Sequence, residues 1–196
     1  MPPVTGALLA ANILVFVLQM SGAPWLVANF ALWPPSAGAY NGPGFELWQL
    51  VTYSFLHGNL LHIGFNMLAL YTFGRDVERL FGSRWYLQYY FVCVVSAAVC
   101  HLLVTGWLGA PPYPTVGASG GIFGLLLAFG YYFPRRTVIL LFPPIPLPAR
   151  VFVVIFGALE LWFGVTGSVA GVAHFAHLGG MLGGWLMIRS RRSRRR

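Results

Sequence analysis

No lysine occurs in the chain and only four residues are acidic. With 8% charged and 58% apolar residues, 196 residues have too little polar surface to cover a soluble particle. A water-soluble globular protein is thereby excluded, and the mean hydropathy of +0.72 marks an integral membrane protein. Cysteine is scarce as well. Cys93 and Cys100 are spaced about 10 Å apart along one helical pattern, which excludes a disulfide between them and leaves the redox compartment unread. The N-terminal MPPVTGALLA lacks the basic residue of a signal-peptide n-region, so the first apolar run is expected to be retained. No internal repeat is traceable.

A helix crosses a hydrocarbon core of roughly 30 Å with about 20 apolar residues, so there is room for about six crossings. The expected fold class is all-α: a polytopic membrane bundle of six transmembrane helices over residues 1–188, with a basic tail at 189–196. Candidate spans fall near 6–20, 50–73, 85–106, 118–133, 150–165 and 171–188. The connections are a long first loop (SGAPWLVANFALWPPSAGAYNGPGF), the charged GRDVERLFGSR, the proline-rich APPYPT, and FPRRTVILLFPPIPLPAR. The last is apolar but holds five prolines, so it is read as a packed or interfacial connection and not a straight helix.

Charge sets the expected orientation. All twelve basic residues are arginines, and six spans with a cytoplasmic tail place every one in or beside a cytoplasmic segment. Both termini are then cytoplasmic, in a multi-pass protein of the inner (plasma) membrane. The tail RSRRSRRR reads as a contact with anionic membrane lipids and a topology anchor, and nucleic acid is set aside as a partner.

The same orientation gathers polar groups in the outer half of the bundle. Ser119 stands at the outer end of the fourth span in TVGASGGIFG, and His177 lies about 9 Å into the sixth, in GVAHFAHLGGMLGG. His62 and Asn66, four apart in LHGNLLHIGFNM, share one face of the second. Intramembrane histidines are costly and point to function. Gly117 with Gly121, Gly120 with Gly124, Gly179 with Gly183 and Gly180 with Gly184 form small-xxx-small pairs that let the fourth and sixth spans approach closely. A serine and histidine brought together so can act as nucleophile and general base. His62, Asn66 and the backbone N–H of Ser119 are candidate donors to an oxyanion. Asp76 and Glu78 belong to the cytoplasmic side and Glu46 to the first outer loop. Glu160 lies toward the outer end of the fifth span, and a role for it is left open. A Ser-His dyad is the simpler expectation.

GASGG, HGNLLHIGFNM and AHLGGMLGG, in this order, resemble the rhomboid intramembrane serine proteases in their six-helix bacterial form. The resemblance runs from ELWQLVTYSFLHGN to the final helix. It implies Ser119 as nucleophile, His177 as general base, and His62 with Asn66 on the oxyanion side. Gly117 corresponds to the first glycine of the GxSG motif. Implied substrates are single-pass transmembrane proteins cut near the outer face, at small residues in easily unwound helices. Where the family often has Trp-Arg in the first outer loop, this chain has Trp48-Gln49, which puts the anchoring of that loop in question. His57 matches a frequent family histidine and is assigned to shaping the loop and helix start, and His174, one turn before His177, is a candidate to line the same water-filled recess in a supporting role. His101 has no partner that the sequence names.

Two other classes compete. A metal or haem protein would use several histidines, but HExxH is absent and only His174 and His177 stand at helical i, i+3 or i, i+4 spacing, so no metal or cofactor is expected. A catalytically inactive relative that binds membrane helices would be expected to have lost the serine or the histidine, and both are present.

Overall fold

The computed structural model describes residues 1–40, 42–109, 113–140, 143–167 and 173–193. The chain folds as an all-α membrane bundle. In chain order the elements are α1 (Pro3–Met20), α2 (Pro24–Phe30), α3 (Gln49–Thr52), α4 (Leu60–Ala69), a π-helical turn (Leu70–Gly74), α5 (Arg75–Phe81), α6 (Ser83–Trp107) and α7 (Ser119–Tyr132). A β-hairpin of β1 (Thr137–Ile139) and β2 (Pro146–Pro148) follows, then α8 (Ala149–Thr166) and α9 (His174–Ser193). Among the described residues, α1, α6 and α8 are long and apolar enough to cross a membrane.

The second span differs from its expected bounds. Residues 50–55 leave the span as α3 and a 3₁₀ turn, and the membrane helix runs from Leu60 through the π-turn to Phe81. Asn59 decides the start: its extended backbone and its side chain, which accepts from His62 N at 2.8 Å, make it an N-cap. The expected charged loop 74–84 is mostly helix as well. Gly82, at φ +77°, is the single residue that turns α5 into α6. The proline-rich stretch forms an antiparallel hairpin with Thr137 opposite Pro148 and Ile139 opposite Pro146. A two-stranded pair is all edge, where proline's missing N–H is tolerated.

α6 and α9 form the centre. Tyr86, Tyr89, Tyr90, Cys93, Val94, Ala97 and Ala98 of α6 are fully buried, and α7 and α9 pack on them. The outer faces are apolar: Ile13, Leu14 and Val17 on α1, and Val154, Leu161, Trp162 and Val165 on α8, are exposed. Thr5, Asn12, Gln49, Glu78, His101 and His177 are buried instead. Apolar outside and polar within is the distribution a hydrocarbon solvent selects.

One end of the bundle is set by arginine. Arg136 donates to Asp76 at 2.8 Å, Arg79 pairs with the same carboxylate at 3.3 Å, and Arg191 lies 4.2 Å over the Trp85 ring. At this end Glu78, 2% exposed, caps α1. Its carboxylate accepts from Val4 N at 3.0 Å, Thr5 N at 2.7 Å, Thr5 Oγ1 at 2.7 Å and Ser83 Oγ at 2.7 Å. The negative charge sits on the positive end of the α1 dipole and saturates N–H groups that would otherwise face lipid. Glu78→Ala should lower the thermal unfolding midpoint in detergent, with a loss of at least about 1.5–3 kcal/mol, the range for one hydrogen bond to a charged group.

Candidate active site

The segment before α7 is held open as extended chain. Thr115 pairs with Leu32 through two backbone hydrogen bonds of 2.9 and 3.0 Å. Its hydroxyl lies 2.8 Å from His101 Nε2, the partner that sequence reasoning did not find. Gly117 N–H donates to Tyr53 O at 3.0 Å, and the glycine takes φ +128°, a region open in practice to glycine alone. A Cβ there would also come within 2.8 Å of the His62 ring. The chain then enters α7 at Ser119, where the first N–H groups have no carbonyl one turn back, point out of the N-terminal end of the helix, and receive no cap from the side chain of Ala118.

Ser119 Oγ lies 2.8 Å from His177 Nε2. Gly180 of α9 makes this possible, since its ideal Cβ would overlap the carbonyl of Gly120. Gly124 likewise faces Gly180 O and Cys93. Gly179 and Gly183, by contrast, sit against Ser96 of α6, so the glycine pairs of α9 serve two neighbours and not the fourth span alone. Residue 171 lies outside the described residues. The described helix begins at His174, which puts His177 in its first turn, about 4.5 Å in and not 9 Å.

The imidazole of His177 is fixed on two sides. Phe123, one turn after Ser119, stacks on it with ring centroids 4.2 Å apart and planes 6° from parallel. Glu160 Oε2 approaches His177 Nδ1 to 2.8 Å, off the N–H line, and meets His174 Nδ1 in an aligned hydrogen bond of 2.6 Å. The three ligand-type atoms of Glu160, His174 and His177 lie within 4.8 Å of one another. Sequence reasoning left Glu160 open because 14 and 17 positions separate it from the two histidines.

Ser119 and His177 open on a cavity of about 500 Å³ that His62, Phe65, Asn66 and Gly117 also line. His62 Nδ1 accepts from Gly58 N at 3.3 Å, so the ring proton belongs on Nε2, the atom that faces Gly117. Asn66 Nδ2 donates to His62 O at 2.8 Å and keeps a second N–H. His57 lies beside the cavity wall, its ring edge-on to His62 at 5.1 Å and its backbone clamped by Gln19 through bonds of 3.0 and 3.2 Å. Gln49, 1% exposed, answers the question raised by the absent arginine. Its Oε1 accepts from Trp33 N at 3.1 Å and its Nε2 donates to Gly44 O at 3.2 Å, while Trp48 Nε1 donates to Asn29 O at 2.9 Å. An amide that both donates and accepts anchors the loop without charge.

The family model described as the rhomboid domain matches residues 44–193, well over half of the chain. The chain belongs to the rhomboid family. Rhomboid protease GluP of Bacillus subtilis (strain 168) is 30% identical over 186 residues, which cover 94% of this chain and 34% of that protein. Rhomboid protein 1, mitochondrial, of Saccharomyces cerevisiae is 31% identical over 150 residues, 70% of this chain and 40% of that one. Rhomboid protease GlpG of Serratia proteamaculans (strain 568) is 29% identical over 192 residues, 94% and 61% respectively. The chain thus spans roughly a third to three-fifths of the length of these rhomboid relatives. Within this rhomboid the GxSG glycine is constrained twice, by its positive φ and by the His62 ring. Gly117→Ala should cost about 1–3 kcal/mol from backbone strain and lower the unfolding midpoint. An unchanged midpoint would show that the loop relaxes around the new methyl.

Proposed function

We propose that the protein is an intramembrane serine endopeptidase that cleaves single-pass transmembrane proteins near the outer face of the membrane, with Ser119 as nucleophile and His177 as general base. The observation that carries this reading is the 2.8 Å contact between Ser119 Oγ and His177 Nε2 at the wall of a cavity that His62 and Asn66 also line, inside a membrane bundle. His177 Nε2 takes the hydroxyl proton as Oγ attacks the scissile carbonyl carbon, then delivers it to the leaving amine nitrogen. A water attacks the acyl-enzyme ester in turn, giving a proton to His177, which passes it to Ser119 Oγ as the Oγ–C bond breaks and the new carboxylic acid leaves. His62 Nε2–H, the second N–H of Asn66 and the N–H groups at the start of α7 are the donors for the negatively charged oxygen.

Helix length supports the depth. α7 has 14 residues, about 21 Å, against a hydrocarbon core of roughly 30 Å. With its C-terminal end at the arginine-rich surface near Arg135 and Arg136, Ser119 lies several ångströms below the opposite surface, and the chain 113–117 lines the cavity there. The arginine end is taken as cytoplasmic, both termini with it, in a bacterial-type plasma membrane. The basic tail after residue 188 contacts anionic lipid. A membrane helix hides its carbonyls in its own hydrogen bonds, so a substrate must unwind before it is cut.

Ser119→Ala and His177→Ala should each abolish cleavage of a fluorescent single-span substrate by detergent-purified protein, and a fluorophosphonate should label only chains that keep both residues. An active Ser119→Ala protein would overturn the assignment. Asn66→Ala and His62→Ala should lower turnover about ten- to a thousandfold with little change in KM, because these donors act as charge develops. A change confined to KM would move them to substrate binding. Replacing helix-breaking glycine or proline in a substrate with leucine should slow cutting, since unwinding then costs about 1–3 kcal/mol more per residue. A cut mapped by mass spectrometry to the arginine-rich half would refute both depth and orientation.

A further inference from the structure

We infer that Glu160 is a positioning residue for His177, held in place by His174, so that this chain works with a carboxylate behind its Ser-His pair. The inference rests on the reading of Ser119 and His177 as nucleophile and base. Of the four acidic residues, Asp76 and Glu78 stand at the arginine end and Glu46 is exposed in the first loop, which leaves Glu160 as the one carboxylate at the site. It comes from α8, whose outer face is exposed, and its carboxylate ties α8 to α9.

The chemistry follows from the atoms that meet. A carboxylate oxygen only accepts, so the two Nδ1 atoms that face Oε2 at 2.6 and 2.8 Å are the protonated ones. With its proton on Nδ1, neutral His177 presents the Nε2 lone pair to Ser119 Oγ, the tautomer a base requires. The aligned bond goes to His174, which fixes Oε2 in space. His177 stands within ion-pair distance but off the bond line, so its attraction to Glu160 grows most when it accepts the serine proton and becomes positive. An interaction that strengthens as the reaction proceeds raises turnover more than it raises substrate affinity. Phe123 limits the ring to in-plane adjustment, the motion that would bring Nδ1–H onto Oε2.

The test compares Glu160→Gln, Glu160→Asp and His174→Ala with wild type on the fluorescent single-span substrate. Turnover is referred to sites counted by exhaustive fluorophosphonate labelling, so that only folded enzyme enters. Glu160→Gln should lower kcat about ten- to a thousandfold with KM within about threefold, and should slow the labelling of Ser119 in parallel. Glu160→Asp, which keeps the charge, should recover part of the loss, and His174→Ala should cost less than Glu160→Gln. Wild-type turnover in Glu160→Gln, with Ser119→Ala inactive, overturns the inference and leaves the Ser-His reading standing. A loss carried by KM with unchanged labelling assigns the carboxylate to substrate docking and overturns it too. So does activity that EDTA removes and zinc restores, which would make Glu160, His174 and His177 a metal site. Activity in Ser119→Ala would sink the underlying reading itself.

Discussion

The hydrogen bond between Ser119 and His177 exists only because α7 and α9 approach to backbone contact, and Gly120 against Gly180 is where they touch. Hydrophobic association cannot drive that approach, because lipid tails are as apolar as any side chain the helices could offer each other. What remains is packing and directed hydrogen bonds. Gly124, Gly179 and Gly183 extend the close contact to α6, and Tyr89 OH to Gly124 O at 2.7 Å and Ser96 Oγ to Gly179 O at 2.8 Å stitch across it. The aromatic core of α6 therefore serves as a fixed surface on which two thin helices are registered against each other.

Polar groups inside such a bundle are stabilised where they find a partner within the protein. Glu78 does so most fully, with four donors on one carboxylate, whereas the Tyr90 hydroxyl and both ring nitrogens of His57 are buried without a hydrogen bond. The outer end follows the same rule with weaker groups. Thr115 is bonded to His101, Gly117 to Tyr53, Gln49 to both Trp33 and Gly44, and the backbone of His57 to Gln19. These residues come from α1, α3, the 3₁₀ turn after it, α6 and the loops up to the start of α7, and neither Ser119 nor His177 is among them. They keep non-helical chain standing at membrane depth, where an unpaired N–H or C=O would be expensive. The cavity is what that chain encloses.

The order GASGG, HGNLLHIGFNM and AHLGGMLGG was legible because each motif is short and local, and because glycine spacing and apolar length report helix faces and spans directly. Ser119, His177, His62, Asn66 and Gly117 all border one cavity. Less was legible at the boundaries. Residues 50–55 have the apolar content of a span, yet the Asn59 cap starts the helix later, and the helix continues through residues 75–81, whose charges read as loop. The prolines of 143–148 excluded a helix but gave no sign of a hairpin.

Composition and local pattern thus sufficed for a membrane bundle, its arginine-bearing end, and a serine and histidine within reach of one another, since each depends on properties that repeat along the chain. The Gln49 anchor, the His101–Thr115 bond, the stack of Phe123 on His177 and the seat of Glu160 between two histidines were decided by tertiary structure alone. Each of these joins elements whose relative rotation sets the contact. A rotation of one residue, 100° about a helix axis, would have turned Glu160 toward lipid without altering any spacing in the sequence.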